Sequence, residues 1–407
     1  MLIDPSQIRV LGPLSAFAAG FADELTHQGY TPHSARFQMR LMGHLSRWLV
    51  GEELGAGDLR TVEVERFLRA RRAAGYTHLL SIKAMRPMLT YLRDLGVAPP
   101  PPPPPISSSP AEEVLERYRN YLTVERGLGH TTARDYVGAV RPFLHGRVGP
   151  DDIALDLRHL AAADVIAFVV ARCPHQSRGA AKLTVTALRS LLGFLHVDGA
   201  IGRSLAVAVP SVAARRLVGL PKGLEPAQVQ RLLASCDSST RNGRRDIAIL
   251  TMLVRLGMRA GEVAALGLDD IDWRAGEIVV RGKGKCTERL PLPTDVGEAV
   301  AAYLHHSRPT SAQGRTVFVR IKAPHRALSS QGVSQVVAAA ARRAGLGRVH
   351  AHRLRHTAAT QMLRTGASLP EIGQLLRHRR ALTTAIYAKV DREALRTIAR
   401  PWPGDAA

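Results

Sequence analysis

The order of apolar and polar residues predicts a chain built almost wholly from helices. In Arg86-Pro87-Met88-Leu89-Thr90-Tyr91-Leu92 and in Arg189-Ser190-Leu191-Leu192-Gly193-Phe194-Leu195, apolar side chains recur at i, i+3 and i+6 or i+7, which gathers them on one helix face. The two stretches stand 103 residues apart, and a glycine follows each four residues on, Gly96 and Gly199. Upstream, Val64 and Phe67 match Val165 and Phe168, and Ser34-Ala35-Arg36 matches Thr132-Ala133-Arg134. Helix packing accounts for such matches as well as common descent does, and either origin gives two all-helical domains.

The pattern changes in the last third. Glu225-Pro226-Ala227-Gln228-Val229 opens a helix with proline and acid in its first turn. Ile247, Ala248, Ile249, Leu250, Met252 and Leu253 then make a helix apolar almost all round, which predicts burial. Glu277-Ile278-Val279-Val280 is β-branched and strand-like, Gly282-Lys283-Gly284-Lys285 is a turn, and Arg289-Leu290-Pro291-Leu292-Pro293 returns as an edge strand. A hairpin with a lysine at its tip follows. Helical pattern resumes over 331–344, 353–364 (closed by Gly366), 370–377 and 383–390. The fold class expected is mainly α with a small β-sheet, an α+β chain.

Seven consecutive prolines, Pro99 to Pro105, mark the clearest boundary. Such a run favours polyproline II at about 3.1 Å per residue, so it acts as a semi-rigid spacer of roughly 20 Å. A second linker runs over 213–222. The divisions are therefore 1–97, a linker over 98–110, 111–212, the second linker, and 223–407.

Charge narrows the partners. Lys and Arg number 56 against 34 Asp and Glu, a formal +22 with pI near 11. The excess is +3 over residues 1–110, +5 over 111–222 and +14 over 223–407. That field favours a polyanion through counterion release, and nucleic acid is the commonest one. The three cysteines, Cys173, Cys236 and Cys286, are far apart and odd in number, which supports neither a disulfide framework nor a zinc knuckle. A reducing cytoplasm, with association to the nucleoid, is the expected location, and no apolar run reaches the roughly 20 residues of a membrane span.

Five motifs carry the chemistry: Leu256-Gly257-Met258-Arg259-Ala260-Gly261-Glu262, Gly282-Lys283-Gly284, His352-Arg353-Leu354-Arg355-His356-Thr357, Leu375-Leu376-Arg377-His378, and Tyr387. Cationic donors, an imidazole and one hydroxyl are the parts needed to break a phosphodiester through a covalent intermediate. In their order, with 23 residues from Arg355 to His378 and nine from His378 to Tyr387, the motifs resemble the catalytic domain of the tyrosine recombinases, the family of phage integrases and chromosome-dimer resolvases. The resemblance covers 223 to about 400 well and extends to 111–212 as the helical core-binding domain. Residues 1–97 sit where many integrases carry a small arm-type DNA-binding domain, yet they read as a second core-binding-like unit.

The resemblance implies a role for each residue. Arg259 and Arg355 clamp the scissile phosphate with guanidinium forks, and Glu262, three residues after Arg259, orients the first of them. Tyr387 attacks phosphorus to leave a 3′-phosphotyrosyl bond and a free 5′-hydroxyl, and its mixed-polarity surroundings let the ring point to a groove. His352 is the general base, His378 a hydrogen-bond donor to the phosphate and Lys283 the general acid to the leaving oxygen. Lys285, Arg289, Arg377, Arg379 and Arg380 are expected to grip the DNA backbone.

Many family members have glycine before the second histidine, where the backbone turns left-handed. Arg377 stands there instead, at a cost of order 1 kcal/mol if that conformation is kept. The implied partners are double-stranded recombination sites and further protomers, four in the synapse and closing as a C-shaped clamp, with no cofactor, metal or membrane. A helical tail, Arg392 to Ile398, is expected to dock on a neighbour or fold back. Two rival functions remain: a type IB topoisomerase, and a non-catalytic accessory of another recombinase. His350, His352 and His356 do not make a persuasive metal cluster, Asp269, Asp270 and Asp272 read as a solvated turn, and no GxxxxGK[ST] loop is present.

Overall fold

The computed structural model describes residues 8–101, 109–149, 154–212, 223–282 and 287–377, together with Thr384 and Tyr387. Those residues are mainly helical, with one small antiparallel sheet among them. Packing divides the chain into two compact units, Met1–Pro100 with Leu217–Ala407, and Pro101–Arg216.

The first bundle has four helices, α1 (Ala18–His27), α2 (Pro32–Gly51), α3 (Thr61–Ala73) and α4 (Ile82–Asp94). Thr31 starts α2, its hydroxyl accepting from the Ser34 N–H while Pro32 takes the first turn, where its missing N–H costs nothing. Phe21, Leu25, Met39, Met42, Leu45, Phe67, Met88 and Leu92 close the core.

The second bundle holds α5 (Pro110–Asn120), which runs on into a wide turn over Tyr121–Glu125, then α6 (His130–His145), α7 (Ala162–Arg172) and α8 (Arg178–Val197). Tyr118 is buried at its centre, and its hydroxyl donates to the Ala187 carbonyl at 3.2 Å.

The two bundles repeat each other in register. Ala35, Met39 and Met42 of α2 are buried, and so are Ala133, Val137 and Val140, 98 positions on in α6. The ends of α4 and α8 match bond for bond. Gly96 and Gly199 both turn left-handed, at φ of 70° and 76°. The next two N–H groups then donate to Leu92 in one bundle and to Leu195 in the other.

The third body carries α9 (Pro226–Ala234), α10 (Arg241–Arg255), α11 (Ala260–Ala265), three strands, β1 (Ile271–Asp272), β2 (Glu277–Arg281) and β3 (Thr287–Pro291), then α12 (Thr294–His306), α13 (Ser330–Arg343), α14 (Ala351–Arg364) and α15 (Leu369–Leu375). Residues Ala248 to Val254 of α10 are all buried, as the unbroken apolar run predicts. The strands pair in the order β1-β2-β3, with Ile271 opposite Ile278 and Ile278 opposite Leu290. Alternation along β2 puts Ile278 and Val280 into the core.

The acidic stretch before β2 departs from a simple solvated turn. Ile271 and Asp272 add a third strand, and Asp270 is buried because its carboxylate accepts from the Gly267 N–H at 2.8 Å and from Arg281 at 2.6 Å. Asp269 pairs with Arg315, so each of these acids already has a structural partner. Among the described residues no helix is long and apolar enough to cross a membrane.

Candidate active site

Four segments of the C-terminal body converge: the end of α10, the start of α11, the first two turns of α14, and the end of α15 with Tyr387. Gly257 makes the convergence possible. It ends α10 in a left-handed turn, φ 57°, and a Cβ there would lie 2.5 Å from the Leu376 side chain. That turn brings Arg259 to the N-cap of α11, where its own N–H donates to Glu262 at 2.8 Å.

Glu262 is buried among cations. Its carboxylate accepts from the Arg259 guanidinium at 2.5 Å and from Arg377 at 2.7 Å. Burial opposes its charge, yet the Arg259 N–H, the Arg377 charge and the two guanidinium hydrogen bonds together hold its carboxyl below the usual range. Arg259 keeps 41% of its side chain exposed and also donates to the Arg377 carbonyl at 3.3 Å.

Arg377 was expected on the DNA backbone, and here the structure corrects the sequence. Its side chain is only 5% exposed, because the buried Glu262 carboxylate draws it inward, and a second donor reaches the Leu375 carbonyl at 2.8 Å. Its φ is 55°, so the left-handed turn is kept without glycine. Charge pairing offsets the backbone cost.

Arg355 lies below this pair at 2% exposure. It donates to the Gly257 carbonyl at 2.6 Å and to the Leu376 carbonyl, tying α14 to the ends of α10 and α15. Burial, then Arg259 and Arg377, pull its pKa down to about 10, so it stays charged at neutral pH.

Tyr387 is not turned toward a groove. It is 1% exposed and packs with Ala359, Ile372 and Leu376. Its hydroxyl shares a 2.8 Å hydrogen bond with His356 Nδ1 rather than with His352. Burial pushes the phenol up to about 12, with Arg355 opposing, so it is protonated at neutral pH. His352 is exposed one turn earlier, its ring meeting that of His356 edge-on with centroids 4.6 Å apart. Desolvation, His352 and Arg355 bring His356 down to about 4. Desolvation, Arg355 and Arg259 lower His352 as well.

The role of His356 as partner of the hydroxyl was missed in sequence. The signal was its spacing of four from His352, which puts both rings on one face of α14. Arg289 is exposed and pairs with Glu277 at 3.1 Å. Lys283, Lys285, His378, Arg379 and Arg380, the rest of the helix expected over 383–390 and the expected tail lie outside the described residues.

These shifts fix a pH response. Unfolded histidine titrates near 6.5. Between that value and about 4 the unfolded chain binds more protons than the folded one at His356, so stability present above pH 6.5 is lost as pH falls through this window. His352 contributes with the same sign. Thermal melting of wild type should therefore decline steeply from pH 6.5 to 4.5. His356→Gln, which still accepts from the phenol but cannot titrate, should flatten that decline, and an unchanged profile would show that the bond to Tyr387 does not hold this corner together.

Residues 222–394 match the model of the phage integrase family. Over 398 residues the chain is 41% identical to y4rA of Sinorhizobium fredii, named as an integrase/recombinase, covering 97% of this chain and 96% of that one. It is 30% identical over 293 residues to the tyrosine recombinase XerD of Listeria monocytogenes, covering 70% of this chain and 97% of the relative. Among solved structures, the XerH site-specific recombinase bound to palindromic difH substrate shares the fold at TM-score 0.57 and 19% identity, over 83% of this chain and 94% of that one. A lambda integrase dimer bound to a COC' core site does so at 0.53 and 19%, over 71% and 96%. This chain is a member of the phage integrase family of tyrosine recombinases.

Proposed function

We propose that this protein is a site-specific DNA recombinase that cuts and reseals strands through a 3′-phosphotyrosyl intermediate on Tyr387. The observation that carries the reading is the convergence of Arg259, Arg355, His352 and Tyr387 in one corner of the C-terminal body, in a chain 41% identical along nearly its whole length to a named integrase/recombinase.

The Tyr387 oxygen attacks phosphorus and the 5′-oxygen leaves, so the bond energy passes into the phosphotyrosine and religation needs no cofactor. Arg259 and Arg355 neutralise the charge on the non-bridging oxygens. His352, exposed and low in basicity, is neutral at physiological pH and free to take the phenol proton. Lys283 protonates the leaving oxygen, and His378 donates to the phosphate.

The described geometry corresponds to a resting state. At 1% exposure the hydroxyl cannot touch a phosphate, so cleavage requires Tyr387 to leave His356 and its pocket. Residues 111–212 act as the core-binding domain and 223–407 as the catalytic domain, assembled as four protomers on two duplex sites. The concentration of +14 in the catalytic segment supports DNA as the partner.

A nicked suicide substrate, drawn from the DNA flanking the gene, should trap a covalent adduct, because the cut strand loses the segment that would reverse the reaction. Relaxation of plasmid supercoils on DNA of any sequence, without exchange between paired sites, would instead favour a topoisomerase.

A further inference from the structure

The first bundle and the catalytic body share one compact unit, although Pro101–Arg216 separates them along the chain. The turn between α1 and α2 meets that body. Gly29 closes α1 in a left-handed conformation, φ 81°, its N–H donating to the Thr26 carbonyl and the Tyr30 N–H to the Leu25 carbonyl. Leu25 is buried and Tyr30 packs on the same core, so the turn moves with its bundle.

A Cβ on Gly29 would lie 2.3 Å from the His325 ring and 2.6 Å from the Ser311 hydroxyl, so only glycine lets the backbone come this close. The ring is held from both sides. Its Nε2 lies 3.1 Å from the Ile321 carbonyl, which can only accept, so in the neutral imidazole that nitrogen donates and Nδ1 accepts from Ser311 at 2.8 Å. Gln313 Nε2 reaches the His27 ring at 3.4 Å, and the Arg320 and Arg326 charges oppose the rise that burial gives the Tyr30 phenol.

Other glycines show that such a turn needs no neighbour. Gly127, 98 positions on in the second bundle, and Gly75, after α3 at φ 79°, are left-handed as well, yet a Cβ on either meets nothing within 4 Å among the described residues. The seat against His325 is therefore an addition to the turn.

The 311–328 loop leads from this seat to the phosphate clamp. Val319 pairs with Ala327, and at the base the Val317 N–H donates to the Leu266 carbonyl at 2.8 Å and the Leu268 N–H to the Arg315 carbonyl at 2.7 Å. Leu266 ends α11, a helix of six residues whose N-cap is Arg259. Val317, Phe318 and Val319 are fully buried, which leaves this ladder little room to shift.

We propose that the 311–328 loop is a docking surface for the first bundle, and that the seated turn holds the end of α11, and through it Arg259, in position. Gly29 and His325 are then positioning residues, and their effect on cleavage rests on the recombinase reading. Loss of the seat leaves DNA affinity alone and slows the step that Arg259 assists.

Asparagine tolerates the left-handed region but carries a side chain, so Gly29→Asn probes the space at His325, and Gly75→Asn, at nearly the same φ but in the open, controls for the backbone. In the full chain without DNA, hydrogen exchange over 311–328 and 260–268 should quicken in Gly29→Asn and match wild type in Gly75→Asn. On the nicked suicide substrate at saturating protein, Gly29→Asn should form adduct about fivefold more slowly, with affinity within twofold of wild type. His325→Ala should be slower too, and Gly29→Asn/His325→Ala no slower than Gly29→Asn, because both residues act through one contact.

Unchanged exchange in Gly29→Asn, an equal change in Gly75→Asn, faster exchange with an unchanged rate, or losses that multiply in the double variant would each overturn the proposal. If wild type formed no adduct, the recombinase reading would fall, and the exchange comparison would still decide whether the turn is seated.

Discussion

Tyr387→Phe is expected to abolish the covalent adduct, lowering strand cleavage about 10⁴-fold or more, while DNA binding stays within twofold of wild type. The phenyl ring keeps the contacts with Ala359, Ile372 and Leu376, so the pocket stays filled. What disappears is the hydroxyl and its bond to His356, a net cost of about 1 kcal/mol because the imidazole can turn to water. The two effects therefore separate cleanly: a chemical loss of several kcal/mol in the barrier against a small loss in stability. Adduct formation is read on a denaturing gel with the suicide substrate, and stability by urea unfolding. If Tyr387→Phe still accumulated adduct, another residue would be the nucleophile. If recombination in cells were undiminished, the accessory reading would replace the enzymatic one.

How much of this was legible in sequence depends on the range over which each residue finds its partner. Periodicity located α10 and the hairpin, because an apolar run such as Ala248–Leu253 reports its own burial whatever it packs against, whereas α11 and α12 were not anticipated. The repeat between the bundles was also visible, down to Gly96 and Gly199, since a left-handed cap leaves a glycine as its trace. The link between Glu262 and Arg259 could be anticipated from a spacing of three.

Arg377 could not be read the same way. Its carboxylate lies 115 positions earlier, so a charged run next to a histidine looked like a surface for DNA when its first member is an internal ion pair. Strand β1 is only two residues long, too short to leave an alternation among three acids. The Tyr387 to His356 bond spans 31 positions, and motif order carries no distance between side chains that far apart.

The other large effect is expected at Glu262. Its carboxylate is buried between the guanidiniums of Arg259 and Arg377 and also caps the Arg259 N–H, so Glu262→Ala leaves a buried cation unpaired and should cost about 3–5 kcal/mol. Glu262→Gln keeps one acceptor oxygen, enough for the Arg259 N–H and Arg377, while its NH2 faces the Arg259 fork, and it should cost less. Both free the Arg259 fork, and a displacement near 1 Å at a phosphate clamp lowers cleavage on the order of 10²-fold. The carboxyl titrates below the ordinary value in the folded chain, so its contribution is complete above about pH 4.3 and disappears as pH falls through the lower folded pKa. Wild type and Glu262→Gln should then converge in acid. The sharper check is the double variant Glu262→Ala/Arg377→Gly, which removes the stranded charge and relieves the positive φ at the same position. By urea unfolding it should be more stable than Glu262→Ala alone, although it carries one substitution more. If the two losses simply added, Glu262 and Arg377 would not be coupled, and the corner that holds Arg259 would owe its geometry to packing instead of charge.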